Sequence, residues 1–156
     1  MSLIATGDRP SVEALKIENA AFFDGVLDFG KYRAASRIDR TASDEQALGA
    51  LQMAVVSTNQ QLTRRVNQWI AEGYATLNAV PNPLHMPPDH YLERYQRAVY
   101  CAADATLAEN FRDFDSTGEG HQRADSMEGR IDAYRRESNY AVADMLGCHR
   151  RAVELL

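Results

Sequence analysis

The residues best placed to do chemistry are Asp113-Phe114-Asp115-Ser116-Thr117-Gly118. An Asp-x-Asp-x-Thr order is the one used by phosphotransferases in which one aspartate is the nucleophile and the other the acid. That chemistry needs a buried strand feeding a loop, whereas the residues before Asp113 have helical spacing and no β-branched run. Read as a calcium loop, the segment offers Asp113, Asp115 and Thr117 at positions 1, 3 and 5 with Gly118 at 6, but the twelfth position is Ala124, where a bidentate Glu is required. A helix-terminating turn with solvated carboxylates is the simpler reading. The four histidines, His85, His90, His121 and His149, form no H-x-x-x-H set, and Cys101 and Cys148 have no zinc spacing with them. Two cysteines are also too few for a disulfide framework, which points to a reducing compartment. With no Gly-x-Ser-x-Gly elbow and no phosphate-cradling loop, neither a cofactor nor a metal ion is expected.

The second unusual feature is the density of charge near the carboxy end: Arg123, Asp125, Glu128, Arg130, Asp132, Arg135, Arg136, Glu137 and Asp144, interleaved with Tyr134 and Tyr140. Such a run is either a solvated face held by i, i+4 pairs such as Asp132 to Arg136, or a seam between subunits, where Arg and Tyr are enriched and charge of both signs fixes register. Of the 17 basic residues only Lys16 and Lys31 are lysines, leaving 15 arginines. Arginine suits planar, partly desolvated pairing, although codon bias in a GC-rich genome produces the same skew. The net charge of −5 is the wrong sign for coating nucleic acid or anionic membrane.

These residues must be positioned by helices. At 156 residues, 45% apolar and 25% charged, the chain is expected to be one domain able to bury a core. No stretch approaches the roughly 20 apolar residues of a membrane span, so no membrane association is expected, and the amino end lacks the basic and apolar regions of a signal peptide. Residues 1–42 read as an irregular arm with a short helix near Asp28 to Ile38. Ser43-Asp44-Glu45-Gln46 is a capping-box pattern, and Leu48, Leu51, Val55, Leu62, Val66, Trp69 and Ile70 recur at helical steps until Gly73. Four of the five prolines fall between Gly73 and Asp89, a connection. A second helix is expected from Pro88 to Phe114, with Leu92, Tyr95, Val99, Ala102 and Phe111 on one stripe and a middle rich in small residues that lets a neighbour approach closely. A third runs from His121 to Leu146, capped by Ser116 and Glu119 and ended by Gly147, with Met127, Ile131, Tyr134 and Met145 on its apolar side. The expected fold is all-α, a small bundle of two or three long helices over 43–147 with an irregular N-terminal arm and an extended C-terminal tail, 148–156.

Several sets of residues carry a resemblance: Phe22-Phe23, Asp28-Phe29 with Arg37-Ile38-Asp39, Gly73-Tyr74-Ala75 with Leu77 and Val80-Pro81; then Tyr95 with Arg97-Ala98-Val99-Tyr100-Cys101, Arg112-Asp113 with Asp115, Arg123-Ala124-Asp125 with Glu128, Tyr134-Arg135-Arg136, and Val153-Glu154-Leu155. In order and spacing they resemble the head completion proteins of P2-type tailed phages, the GPL family, from about Phe22 to Leu156. Ser126-Met127 before Glu128 departs from that family's pattern, and the Pro-rich connection is this chain's own.

The resemblance implies a structural, non-enzymatic role and a single connector domain over 1–156. It implies a ring of identical chains, twelvefold like the portal, that docks beneath the portal protein, stabilises the DNA-filled head and meets a neck or tail-completion protein below. DNA would pass through the lumen without sequence-specific binding. The location would be the virion neck, and the host cytoplasm during assembly. On that reading the subunit interface falls to Arg123, Asp125, Glu128, Arg130, Asp132, Tyr134, Arg135 and Arg136, and portal contact to Arg150, Arg151, Val153, Glu154, Leu155 and Leu156. The residues alone leave two other classes open: a small metal-dependent hydrolase using Asp113 and Asp115, and a helical nucleic-acid-binding regulator.

Overall fold

A computed structural model of the chain describes residues 15–36, 38, 42–114 and 120–148, the side chains of 112–114 and 120–126 excepted. The long helix announced by the capping box is α2, Asp44–Ala71; its N-cap is closed by Gln46 N–H donating to Ser43 Oγ at 3.2 Å and Ser43 N–H to Gln46 Oε1 at 3.1 Å. It is preceded by α1, Phe29–Ala35, and followed by α3, His90–Phe114, and α4, Gly120–Leu146. Single 3-10 turns at Ala21–Phe23 and Leu77–Ala79 complete the order, and no strand occurs among the described residues. The fold is all-α.

Glycine ends two of the long helices where its left-handed freedom is needed. Gly73 (φ +100°) lets Tyr74 N–H reach back to Trp69 O, and Gly147 (φ +70°) lets Cys148 N–H reach Ala143 O, the six-to-one bond of a helix-ending turn. The start of α3 differs from the sequence expectation. Asp89 takes φ +66°, which breaks the helical path between Pro88 and His90, so the prolines stay in the connection.

Helix α3 is the centre of the molecule and packs against both α2 and α4. Its small residues explain why: Ala98, Ala103, Ala105 and Ala108 are buried, and α4 lies antiparallel so close that Ser138 Oγ donates to Ala98 O at 2.8 Å. Of the expected core, Leu51, Val55, Leu62, Trp69, Tyr95, Val99 and Ile131 are buried. Leu48, Val66, Leu92 and Phe111 are half-buried and pack on its rim. Two positions need correcting. Ile70 is exposed, because one residue beyond Trp69 the helix has turned by about 100°. Tyr134 is half-buried in a surface groove rather than in the core, the inner face of α4 being carried by Ile131, Ser138, Val142 and Met145.

The described part of the arm is irregular, as expected, and it is also core. Phe22 stacks on Trp69 (centroids 6.1 Å apart, 8° between planes) and Phe23 on Tyr95 (4.1 Å, 5°). Tyr91 meets the Trp69 ring edge-on at 5.1 Å and the Arg65 guanidinium lies 4.9 Å from its centroid. The arm thus plugs the seam between α2 and α3.

Candidate functional site

The charged face is built on α4, whose helical repeat brings Glu128, Arg130, Asp132, Arg135 and Arg136 to solvent. The side chains of Arg123 and Asp125 lie outside the described residues, as do those of Asp113 and Asp115 and the whole of Arg150, Arg151, Val153, Glu154, Leu155 and Leu156. The charges on this helix divide into two groups. One group is spent within the chain, on α3: Arg97 Nε and Nη2 both donate to Glu137 Oε2, at 3.0 and 2.6 Å, Arg94 Nη1 lies 3.4 Å from Asp144 Oδ2, and Arg135 pairs with Glu109. The other group, Glu128, Arg130, Asp132 and Arg136, makes no ion pair among the described residues. The i, i+4 pair that the solvated-face alternative offered, Asp132 to Arg136, is not formed, and the described pairs run between helices instead of along one.

Beside this face, α1, α3 and α4 enclose an open groove of ≈ 580 Å³ lined by Ser36, Glu93, Arg97, Tyr100, Cys101 and Tyr134. Burial pushes the Cys101 thiol up, more than Arg97 draws it down, which keeps it protonated at neutral pH and a poor nucleophile.

At the floor of the groove sits a polar knot centred on Asp104. Asp104, which looks in sequence like a mere interruption of an apolar run, is only 6% exposed; its Oδ1 accepts from Tyr32 Oη at 2.9 Å and Ser36 Oγ at 2.7 Å. Burial raises the Asp104 carboxyl above its ordinary value, against the lowering effect of these two bonds and of Arg130. Burial and the facing carboxylate push the Tyr32 phenol far above its own, so it remains a donor. A second knot joins the arm to α2 and α3: Asn19 Nδ2 donates to Tyr95 Oη at 2.9 Å, Tyr95 Oη to Asn59 Oδ1 at 2.8 Å, and Asn59 Nδ2 back to Asn19 Oδ1 at 2.9 Å. Gln96 Nε2, donating to Val26 O at 2.7 Å, and Tyr100 Oη, donating to Asp28 O at 3.2 Å, continue the stitching. A buried aspartate facing a tyrosine 72 positions away leaves no periodic trace, and the only available signal was its presence among alanines.

The geometry is that of a chain whose polar side chains are spent on holding helices together and on presenting a two-signed face. No cluster of three or more metal-ligating side chains occurs among the described residues, and none of the described helices is long and apolar enough to cross a membrane. The chain belongs to the phage head completion protein (GPL) family, whose model matches residues 17–156. It is similar to the head completion/stabilization protein of Escherichia phage P2, at 30% identity over 139 residues that cover 89% of this chain and 82% of that protein. No solved structure matches. The family is a structural one, a component of the phage head and not an enzyme class.

Proposed function

We propose that this protein completes the filled head as a ring of identical chains, expected to number twelve, docked beneath the portal protein at the virion neck and assembled in the host cytoplasm. The ring meets a neck or tail-completion protein on its lower side and lets DNA through its lumen. The observation that carries the reading is the exposed set Glu128, Arg130, Asp132 and Arg136 on α4, without ion pairs among the described residues, in a chain of the head completion family. Charge of both signs on one helix face suits a contact in which each basic group meets an acid of the next copy, which fixes register and rejects wrong partners. Contacts between two different faces close into a ring when the rotation allows. The net charge of −5 suits a channel that repels passing DNA instead of gripping it. The portal contact is assigned to Arg150, Arg151 and the Val153 to Leu156 segment, which offers two cations followed by Val153, Leu155 and Leu156 around one acid, Glu154.

The test is the mass of the purified protein by light scattering after size exclusion, alone and mixed with a portal ring from the same phage. A free monomer that joins the portal as a many-subunit ring is the expected result. A compact monomer or dimer that ignores the portal would sink the proposal.

A further inference from the structure

Large apolar side chains that face water are confined to two places among the described residues: Met53, Val56 and Ile70 on the outer side of α2, and Leu84 and Met86 in the connection before α3. Both places are short of charge. On α2, Met53, Val56, Gln60, Thr63, Asn67 and Ile70 follow one another at alternate three- and four-residue steps on the solvent side, and none is ionisable. That period is the one with which a helix presents a continuous seam to a partner. In the connection, Pro81, Pro83, Pro87 and Pro88 leave the backbone few alternatives, Met86 N–H donates to Pro83 O at 2.9 Å, and Tyr91 N–H donates to Asn82 Oδ1 at 3.0 Å. The loop, tied to the start of α3, therefore holds Leu84, which is fully exposed, and Met86 outward.

We infer that these two surfaces are halves of one contact between copies: the loop of residues 81–87 of one chain seats on the α2 outer face of the next, with Leu84 and Met86 against Met53 and Val56. The inference rests on the ring reading above and supplies its apolar component. Three observations favour a second copy as occupant. A charged partner surface laid on Met53 and Val56 would lose its hydration without gaining a counter-ion, whereas the loop brings Leu84 and Met86 and no Asp, Glu, Lys or Arg. The loop enters α3 beside Trp69, where Tyr91 meets that ring at 5.1 Å, and Trp69 lies about 20 Å along α2 from Val56, so the loop of one chain does not cover its own Met53 and Val56. The two patches are different and separate, which is the condition for a head-to-tail contact that closes into a ring. A loop already rigid in its bound shape loses little freedom on docking.

The experiment is disulfide trapping on the portal ring, in a background carrying Cys101→Ser and Cys148→Ser. Val56→Cys and Leu84→Cys are prepared as separate proteins, one with a length tag, and oxidised alone and mixed. The expected result is a covalent dimer containing one chain of each kind, formed only in the mixture. Linkage of Val56→Cys to itself, or of Leu84→Cys to itself, would mean that like faces meet and would overturn the inference. So would absence of any link while light scattering reports a complete ring, since another occupant, the portal or the segment 149–156, would then hold one of the patches. If the portal captures no chain at all, the ring reading fails and the inference with it. In the otherwise unaltered protein, Leu84→Asp should weaken ring formation at least tenfold with helicity retained, and normal rings from that variant would equally overturn the contact.

Discussion

Single residues here do two distinct kinds of work, apolar anchoring and buried polar pairing. Trp69 is 2% exposed and is touched by Phe22 from the arm, Tyr91 from α3 and Arg65 from its own helix, so it joins three segments at one end of the bundle. Trp69→Ala should cost about 3–5 kcal/mol, read by urea unfolding, and a loss below about 1 kcal/mol would contradict the packing. Asp104 is the opposite case. Its carboxyl is held above the unfolded value of 3.8, chiefly by burial, so the folded chain binds its proton more tightly than the unfolded chain does. The stability that this linkage contributes is complete below the unfolded pKa and is lost as pH rises through the raised folded value. Asp104→Asn keeps an acceptor for Tyr32 and Ser36 and removes the charge, so relative to the parent it should gain stability as pH rises from about 4 to 7. Parallel melts of the two proteins across that range test this, and a difference independent of pH would refute the assignment. Asp104→Ala, by contrast, strands the buried Tyr32 hydroxyl and should cost about 1–3 kcal/mol relative to Asp104→Asn at every pH, since both variants lack the carboxyl.

At the scale of elements, the helices were legible because each leaves a periodic or terminal signal. The Ser43 to Gln46 capping box, the Leu51 to Trp69 stripe and the glycines at 73 and 147 are local features, and α2 and the ends of α2 and α4 follow from them. Asp89 hid the true start of α3, since a left-handed aspartate is not a rule that spacing reveals. The arm was legible only as irregular: Phe22, Phe23 and Asn19 take their places through contacts with Trp69, Tyr95 and Asn59, dozens of residues away, and no window of sequence contains both halves of such a pair. The same holds for the candidate site. The charge on α4 was plain, but which arginines are spent on α3 depends on the antiparallel register of the two helices, so Arg135 and Arg136, adjacent in sequence, differ in having Glu109 as a partner or not. Element-level stability also has an adjustable point at Gly129. It is exposed inside α4, and an added Cβ there meets nothing within 4 Å. Gly129→Ala should therefore stabilise the protein by up to about 1 kcal/mol through helix propensity alone, seen as a rise in the thermal midpoint, and a destabilised variant would show that α4 is packed on that side.

For the whole molecule, the two outer surfaces differ in kind: α2 presents an uncharged stripe and α4 a face of both signs. Apolar contact supplies free energy of association with little dependence on salt, whereas exposed ion pairs supply selectivity and are screened at separations beyond roughly 8 Å at physiological ionic strength. A ring built from both should respond to two perturbations in different ways. Arg136→Glu touches a side chain that is exposed and makes no ion pair among the described residues, so the fold should be unaffected within about 0.5 kcal/mol. If α4 lies in the seam, the reversed charge meets the acid that Arg136 had faced, and assembly on the portal should fail at low salt yet recover in part as salt rises from about 0.05 to about 0.5 M, because screening relieves repulsion as well as attraction. Arg135→Glu is the internal comparison: it sets Glu109 against a second carboxylate within the same chain, so it should lower the thermal midpoint of the monomer, which Arg136→Glu should not. Light scattering on the portal mixture and a melt of the free protein read the two effects separately. Full rings from Arg136→Glu at low salt would remove α4 from the seam and leave the α2 stripe and the Pro-rich loop to account for assembly by themselves.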